Sequence, residues 1–262
     1  MKNILRAELY QLFRAKLFYI LFVVSAGLQA MGLIGYIMNA KEEELSASAY
    51  LAGAGGGIYF YPILFIGVTV GLLCGMDYND KTANYELMGG YLRKEIYISH
   101  MIPAALIGAV GALILSEVPG IVMAIVYGWG DNVPLSGYML RQILALLPFL
   151  RIAGEIVCIT YIIRNGYLTI VFSFLITIFG AILPDIAKSP KSVLLGITNL
   201  QLVGDYKGWS TYDILNISSD RIYAYSADLT ASSVLLTIAA SVLFGGLCLF
   251  IGYWFFRQDD VN

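Results

Sequence analysis

Six long apolar blocks dominate this chain, at about 17–38, 58–76, 101–127, 138–163, 167–183 and 231–256. At about 1.5 Å of rise per residue, helices of this size cross a hydrocarbon layer of about 30 Å. Backbone N–H and C=O groups cannot stay unpaired in lipid, so each block must form a helix or join a closed barrel. Barrel strands alternate apolar and polar residues over about ten positions, and these blocks do not. The pattern predicts an all-α integral membrane protein with six transmembrane helices. Composition agrees: 59% of residues are hydrophobic and 13% charged, against about a quarter charged in soluble domains. That excludes a water-soluble enzyme, and a net charge of −2 excludes a basic nucleic-acid binder.

An even number of spans leaves both termini on one side. With that side cytoplasmic, the inner segments 1–16, 77–100, 164–166 and 257–262 carry nine of the Lys and Arg residues. The longer outer segments 39–57, 128–137 and 185–230 carry five, four of them in the last (Lys188, Lys191, Lys207 and Arg221). The positive-inside rule then favours cytoplasmic termini. The first apolar block is too long for a signal-peptide core, and no small-residue cleavage site follows it.

The segments between the blocks are distinctive. Leu5, Leu9, Leu12 and Phe13 recur at helical spacing, while Lys2, Arg6, Arg14 and Lys16 oppose the single acid Glu8. Residues 1–16 therefore read as a basic amphipathic helix lying at the membrane interface, or as a basic flank that fixes topology. Segment 77–100, DYNDKTANYELMGGYLRKEIYISH, is polar and too long for a minimal turn. It is predicted to hold a short helix over 80–88, ended by Gly89-Gly90, and a second stretch over 91–99 that runs into the third span. Such a helix suits docking of a soluble partner; the alternative is a solvated loop. Outside, Lys41-Glu42-Glu43-Glu44 and the glycine run 53–57 border one loop. The longest loop, 184–230, holds Tyr206, Trp209, Tyr212, Tyr223 and Tyr225, aromatics suited to a membrane interface.

Within the spans, Gly67, Gly71 and Gly75 form a small-xxx-small ladder, echoed by Ala104, Gly108 and Ala112. Such ladders allow close backbone approach in lipid. Whether they face the same bundle or a second subunit is open at the level of sequence. Glu117, Arg151 and Glu155 stand against the apolar background. Each must face protein or water, and Arg151 and Glu155, four residues apart, can pair on one helix face. They read equally as a charged lining of a path and as a self-neutralised packing pair. Cys74, Cys158 and Cys248 fall inside spans as small apolar residues. A single histidine, His100, excludes a histidine metal cluster within one chain. GxxxxGK[ST], HExxH and GxSxG are absent, so no catalytic or nucleotide-binding constellation is read and no metal ligand is assigned.

The order of parts resembles the membrane subunit of ABC-2-type transporters, the small bacterial permeases that work with a separate ATPase. The resemblance spans the whole length. It rests on the start KNILRAELYQLFRAKLFYI, six spans, and the loop between spans two and three with Asp80, Lys81-Thr82, Asn84, Glu86, Leu87, Gly90 and Arg93. The ending YWFFRQDDVN fits the family's aromatic-then-charged tail. The chain departs from the pattern in the short turn Arg164-Asn165-Gly166, and in His100, which stands where the family's loop usually ends in Lys.

The resemblance implies a type V exporter-like transmembrane domain in a bacterial cytoplasmic membrane. It would pair with a second permease copy or paralogue and export an amphipathic substrate such as an antimicrobial peptide or drug. ATP and Mg would be bound by the partner ATPase, with no cofactor on this chain and no enzymatic activity of its own. Asp80, Lys81, Thr82, Glu86 and Arg93 would couple ATPase motion to the spans. Two other readings compete. An ion-gradient transporter would use Glu117, Arg151 and Glu155 as a relay, and a non-transporting scaffold would use segment 77–100 to recruit a partner.

Overall fold

The computed structural model describes residues 2–40, 45–53, 60–80, 82–131, 134–175 and 231–258, and among these there are helices and turns but no strand. The helices in chain order are α1 (Lys2–Arg14), α2 (Lys16–Asn39), α3 (Ala47–Gly53), α4 (Phe60–Val70), α5 (Met76–Asp80), α6 (Thr82–Met88), α7 (Arg93–Tyr127) and α8 (Leu135–Ile163). They are followed by α9 (Gly166–Leu175) and α10 (Ala231–Gln258). A π-helical turn, Gly71–Gly75, joins α4 to α5.

Among the described residues, five stretches are long and apolar enough to cross a membrane: Lys16–Asn39, Tyr61–Asn79, Arg93–Tyr127, Leu135–Ile163 and Ser241–Gln258. The all-helical membrane class therefore holds. Of the sixth expected span, 167–183, the described part is the ten-residue helix Gly166–Leu175; residues 176–183 lie outside the described residues, as do the loop 184–230 and Lys41–Glu44.

The helices bury small and polar residues alongside a core of large apolar ones such as Phe65, Leu115 and Phe149, and turn further large apolar residues outward. On α2, Ser25 and Gln29 are buried beside Phe18 and Leu33, whereas Ile20, Val23, Met31 and Ile34 are exposed. In lipid an outward Ile costs nothing, while an inward polar group is shielded from hydrocarbon. α4, α7 and α8 pack on one another, α8 packs on α10, and α2 packs against α4 and α7.

Both closely paired layers use glycine. A Cβ on Gly71 would stand 2.8 Å from Ile170 Cγ1 and 3.0 Å from the Gly166 carbonyl oxygen, so the Gly67-Gly71-Gly75 ladder receives α9. A Cβ on Gly245 would meet Arg151 Cα at 3.3 Å, and one on Gly252 would meet Cys158 Cα at 3.2 Å, which sets α10 directly on α8. The approach of α9 depends on a short reversal: Arg164 adopts φ 59° at the end of α8, and Asn165 Oδ1 accepts the Leu168 N–H at 3.1 Å to cap α9.

At the other end of the bundle, Leu33, Ala47, Tyr50, Leu51, Met123 and Tyr138 form a second apolar cluster. There the N–H groups of Ala47 and Ser48 donate to the carbonyls of Gly128 (3.1 Å) and Trp129 (2.8 Å), pinning α3 to the end of α7.

Candidate functional site

The site lies where α1, α5, α6 and α7 meet, and it is centred on His100. α1 reaches it with an unusual face. The line Ile4, Glu8, Leu12, spaced four residues apart, is buried to 4%, 4% and 1% exposure. Phe13, expected from sequence on the apolar stripe, is 52% exposed. The inward face is thus rotated from the Leu5-Leu9-Leu12-Phe13 stripe, and an acid occupies its centre. Leu12 joins the main core with Ile4, while Glu8 approaches His100.

α5 continues the second span beyond the π turn. In that turn the Met76 N–H bonds the Gly71 carbonyl, five residues back. π turns of this kind often mark functional positions, and here the Leu73 carbonyl oxygen stands 3.2 Å from His100 Nδ1. Asp77, at the first turn of α5, places Oδ2 in direct contact with the same nitrogen. Glu8 Oε2 lies 3.7 Å from it, beyond hydrogen-bond length.

α6 supplies the fourth group. Its end is set by Gly90, whose φ of +85° is open to glycine; the Gly89 N–H bonds the Tyr85 carbonyl at 2.9 Å and the Gly90 N–H that of Leu87 at 3.0 Å. The chain then enters α7, where Glu95 accepts the Leu92 N–H at 3.3 Å. This tight return brings Glu86 Oε2 to 3.1 Å from His100 Nε2. Tyr85 and Met88 on the same short helix are 68% and 74% exposed.

Both imidazole nitrogens therefore face acceptors: Nδ1 meets Leu73 O, Asp77 and Glu8, and Nε2 meets Glu86. A ring so placed carries a proton on each nitrogen, or donates Nε2–H to Glu86 and turns the Nδ1 lone pair towards a cation or a protonated carboxyl. Burial pushes the Glu8 carboxyl up to about 8; His100 acts against that rise, and Asp77 and Glu86 add to it.

The other sequence-selected residues fall elsewhere. Asp80 and Thr82 lie on the backbone of α5 and α6, and Lys81 is outside the described residues. Arg93 starts α7 and donates from an Nη atom to the Arg257 carbonyl at 2.8 Å, joining α7 to the end of α10. Glu117 sits within α7, accepting the Tyr138 hydroxyl at 2.8 Å on Oε2, with Oε1 buried and unbonded. Arg151 Nε and Glu155 Oε1 are 3.2 Å apart on α8, close enough to ion-pair but poorly aligned for a hydrogen bond. Arg151 is 3% exposed and its backbone contacts Gly245 of α10, so the pair lies inside the α8–α10 seam.

Reading the sequence selected Glu86 and noted Glu8 and His100 without placing them in a site, and it missed Asp77 as a site residue. A signal for Glu8 was available: it is the central residue of the i, i+4 line Ile4-Glu8-Leu12 in a helix with no other acid. No protein-family model matches the chain, and no curated protein matches it.

Proposed function

We propose that this chain is the transmembrane permease subunit of an ATP-binding-cassette exporter of the ABC-2 type, driven by a separate ATPase. The observation that carries the reading is the two-sided character of α6. On one side Glu86 bonds His100 at 3.1 Å, and through that ring the helix reaches Asp77 on α5 and Glu8 on α1. On the other side Tyr85 and Met88 are exposed, apolar and outside the spans. A soluble ATPase seated on Tyr85 and Met88 would move α6, and the buried ring would pass that motion to three helices at once. In this reading both termini and α6 are cytoplasmic, two permease copies or paralogues enclose the path, and the cargo is an amphipathic peptide or drug.

A photo-crosslinking amino acid placed at Tyr85 or Met88 in the native membrane tests this reading. The expected adduct is a P-loop ATPase, and its absence from both positions removes the proposal.

A second reading, an ion-gradient transporter, draws on Glu117, whose Oε1 is buried without a hydrogen-bond partner inside an apolar helix. Protonatable groups so placed serve relays in membrane proteins. It requires transport in vesicles containing this chain alone, abolished in Glu117→Gln.

A further inference from the structure

We propose that Glu8, Asp77 and the Nδ1 atom of His100, completed by the Leu73 carbonyl oxygen, bind a divalent first-row transition cation of the zinc type. The proposal does not depend on the transport reading.

Its first support is the convergence of ligand atoms from three helical segments. One ligand atom each from Glu8, Asp77 and His100 lies within 4.8 Å of the others. Tetrahedral coordination with metal–ligand bonds of about 2.1 Å separates ligand atoms by about 3.4 Å. Around Nδ1, Leu73 O at 3.2 Å and Glu8 Oε2 at 3.7 Å bracket that value, whereas Asp77 Oδ2 touches the nitrogen directly and must draw back by about 1 Å to admit the ion.

The second support is the other face of the ring. Metal-bound histidines generally donate their remaining N–H to a carboxylate, which fixes tautomer and orientation. Glu86 Oε2, 3.1 Å from Nε2, occupies that position. The arrangement is therefore a liganding set with an orienting group behind it, contributed by a fourth helix.

Charge is the third. A doubly protonated ring offers one positive charge to three carboxyl groups within 4 Å of it, of which burial holds Glu8 towards its protonated form. A divalent cation with a neutral ring supplies two charges at the point where the carboxylates converge. The mixture of one imidazole with oxygen donors selects zinc-type ions over magnesium or calcium, which prefer all-oxygen sites. Bound there, the ion would staple α1 to the second span and to α7.

The full chain, purified without a histidine tag and stripped with a chelator, is titrated with Co²⁺ and Zn²⁺. The expected result is one ion per chain, with visible d–d absorption for Co²⁺ that Zn²⁺ displaces and excess Mg²⁺ does not. His100→Asn and Asp77→Asn should lose the absorption. Glu86→Gln, which keeps every ligand, should weaken binding about 10- to 100-fold, while Asp131→Asn, at an exposed carboxylate beyond α7, should bind as the unmodified chain does. If the stripped, monodisperse chain takes up no ion, or takes it up equally in His100→Asn and Asp77→Asn, the proposal is overturned and the ring is a protonated ion-pair centre.

Discussion

His100 Nε2 meets Glu86 Oε2 at 3.1 Å, and this contact fastens a seven-residue helix outside the spans to the longest helix in the bundle. α6 is too short to be stable alone, so its position depends on such tertiary ties. Glu86→Lys replaces the acceptor with a like charge or a competing donor, while α6 keeps its Gly90 terminator. If α6 couples an ATPase to the spans as proposed, substrate stimulation of ATPase activity in a reconstituted complex should be lost. Size-exclusion behaviour of the chain should be unchanged. Wild-type stimulation in the variant would deny α6 a coupling role.

Arg151 and Glu155 form a buried pair in the α8–α10 seam. Removing one charge strands the other in an apolar setting, which costs about 3–5 kcal/mol, whereas replacing both with apolar residues is often neutral. Arg151→Met should therefore lower thermal stability in detergent sharply, and Arg151→Met with Glu155→Leu should restore it. If the proposed transport function holds and the pair only packs the seam, the double variant also transports normally. A stable double variant without transport would assign the charges to the path.

Gly71 and Gly166 bring the π turn that follows α4 into backbone contact with α9, with a Cβ on Gly166 standing 2.8 Å from the Gly71 carbonyl oxygen. Gly166→Ala should destabilise by about 1–3 kcal/mol through forced separation of the helices. Gly35→Ala on α2, where a Cβ meets nothing within 4 Å, is the matched control and should be neutral or slightly stabilising. Thermal unfolding of the two variants side by side reads the difference.

The Tyr138 hydroxyl is the donor to Glu117 Oε2. Tyr138→Phe leaves that carboxyl without the bond, at an expected cost of about 1–2 kcal/mol. Tyr138→Phe with Glu117→Leu should recover most of it, because both polar partners are then gone. A loss in the double variant equal to or larger than that in the single one would show that Glu117 has a further partner.

Length and lack of charge made the helices legible in the sequence, since apolar runs of this size have few alternatives in lipid. The end of α6 was legible from Gly89-Gly90, and the Arg151–Glu155 pair from its i, i+4 spacing. The partner of the glycine ladder was not, because α9 reaches Gly71 through the left-handed turn at Arg164, a tertiary event that no periodicity announces. Glu8 was hidden by its context. In a basic amphipathic helix a single acid looks like part of the solvated face, and only the meeting of α1 with α5 and α7 turns it inward. Asp77 and His100 likewise look like ordinary residues at the polar ends of spans until the π turn and the α6 return bring them together.

If α6 transmits the work of a docked ATPase to the spans, as proposed, a photoreactive side chain at exposed Tyr85 or Met88 in the native membrane should form a covalent adduct to a nucleotide-binding subunit, with a yield that changes when ATP is trapped. No adduct to a nucleotide-binding protein from either position, with the chain intact in the membrane, would rule that role out.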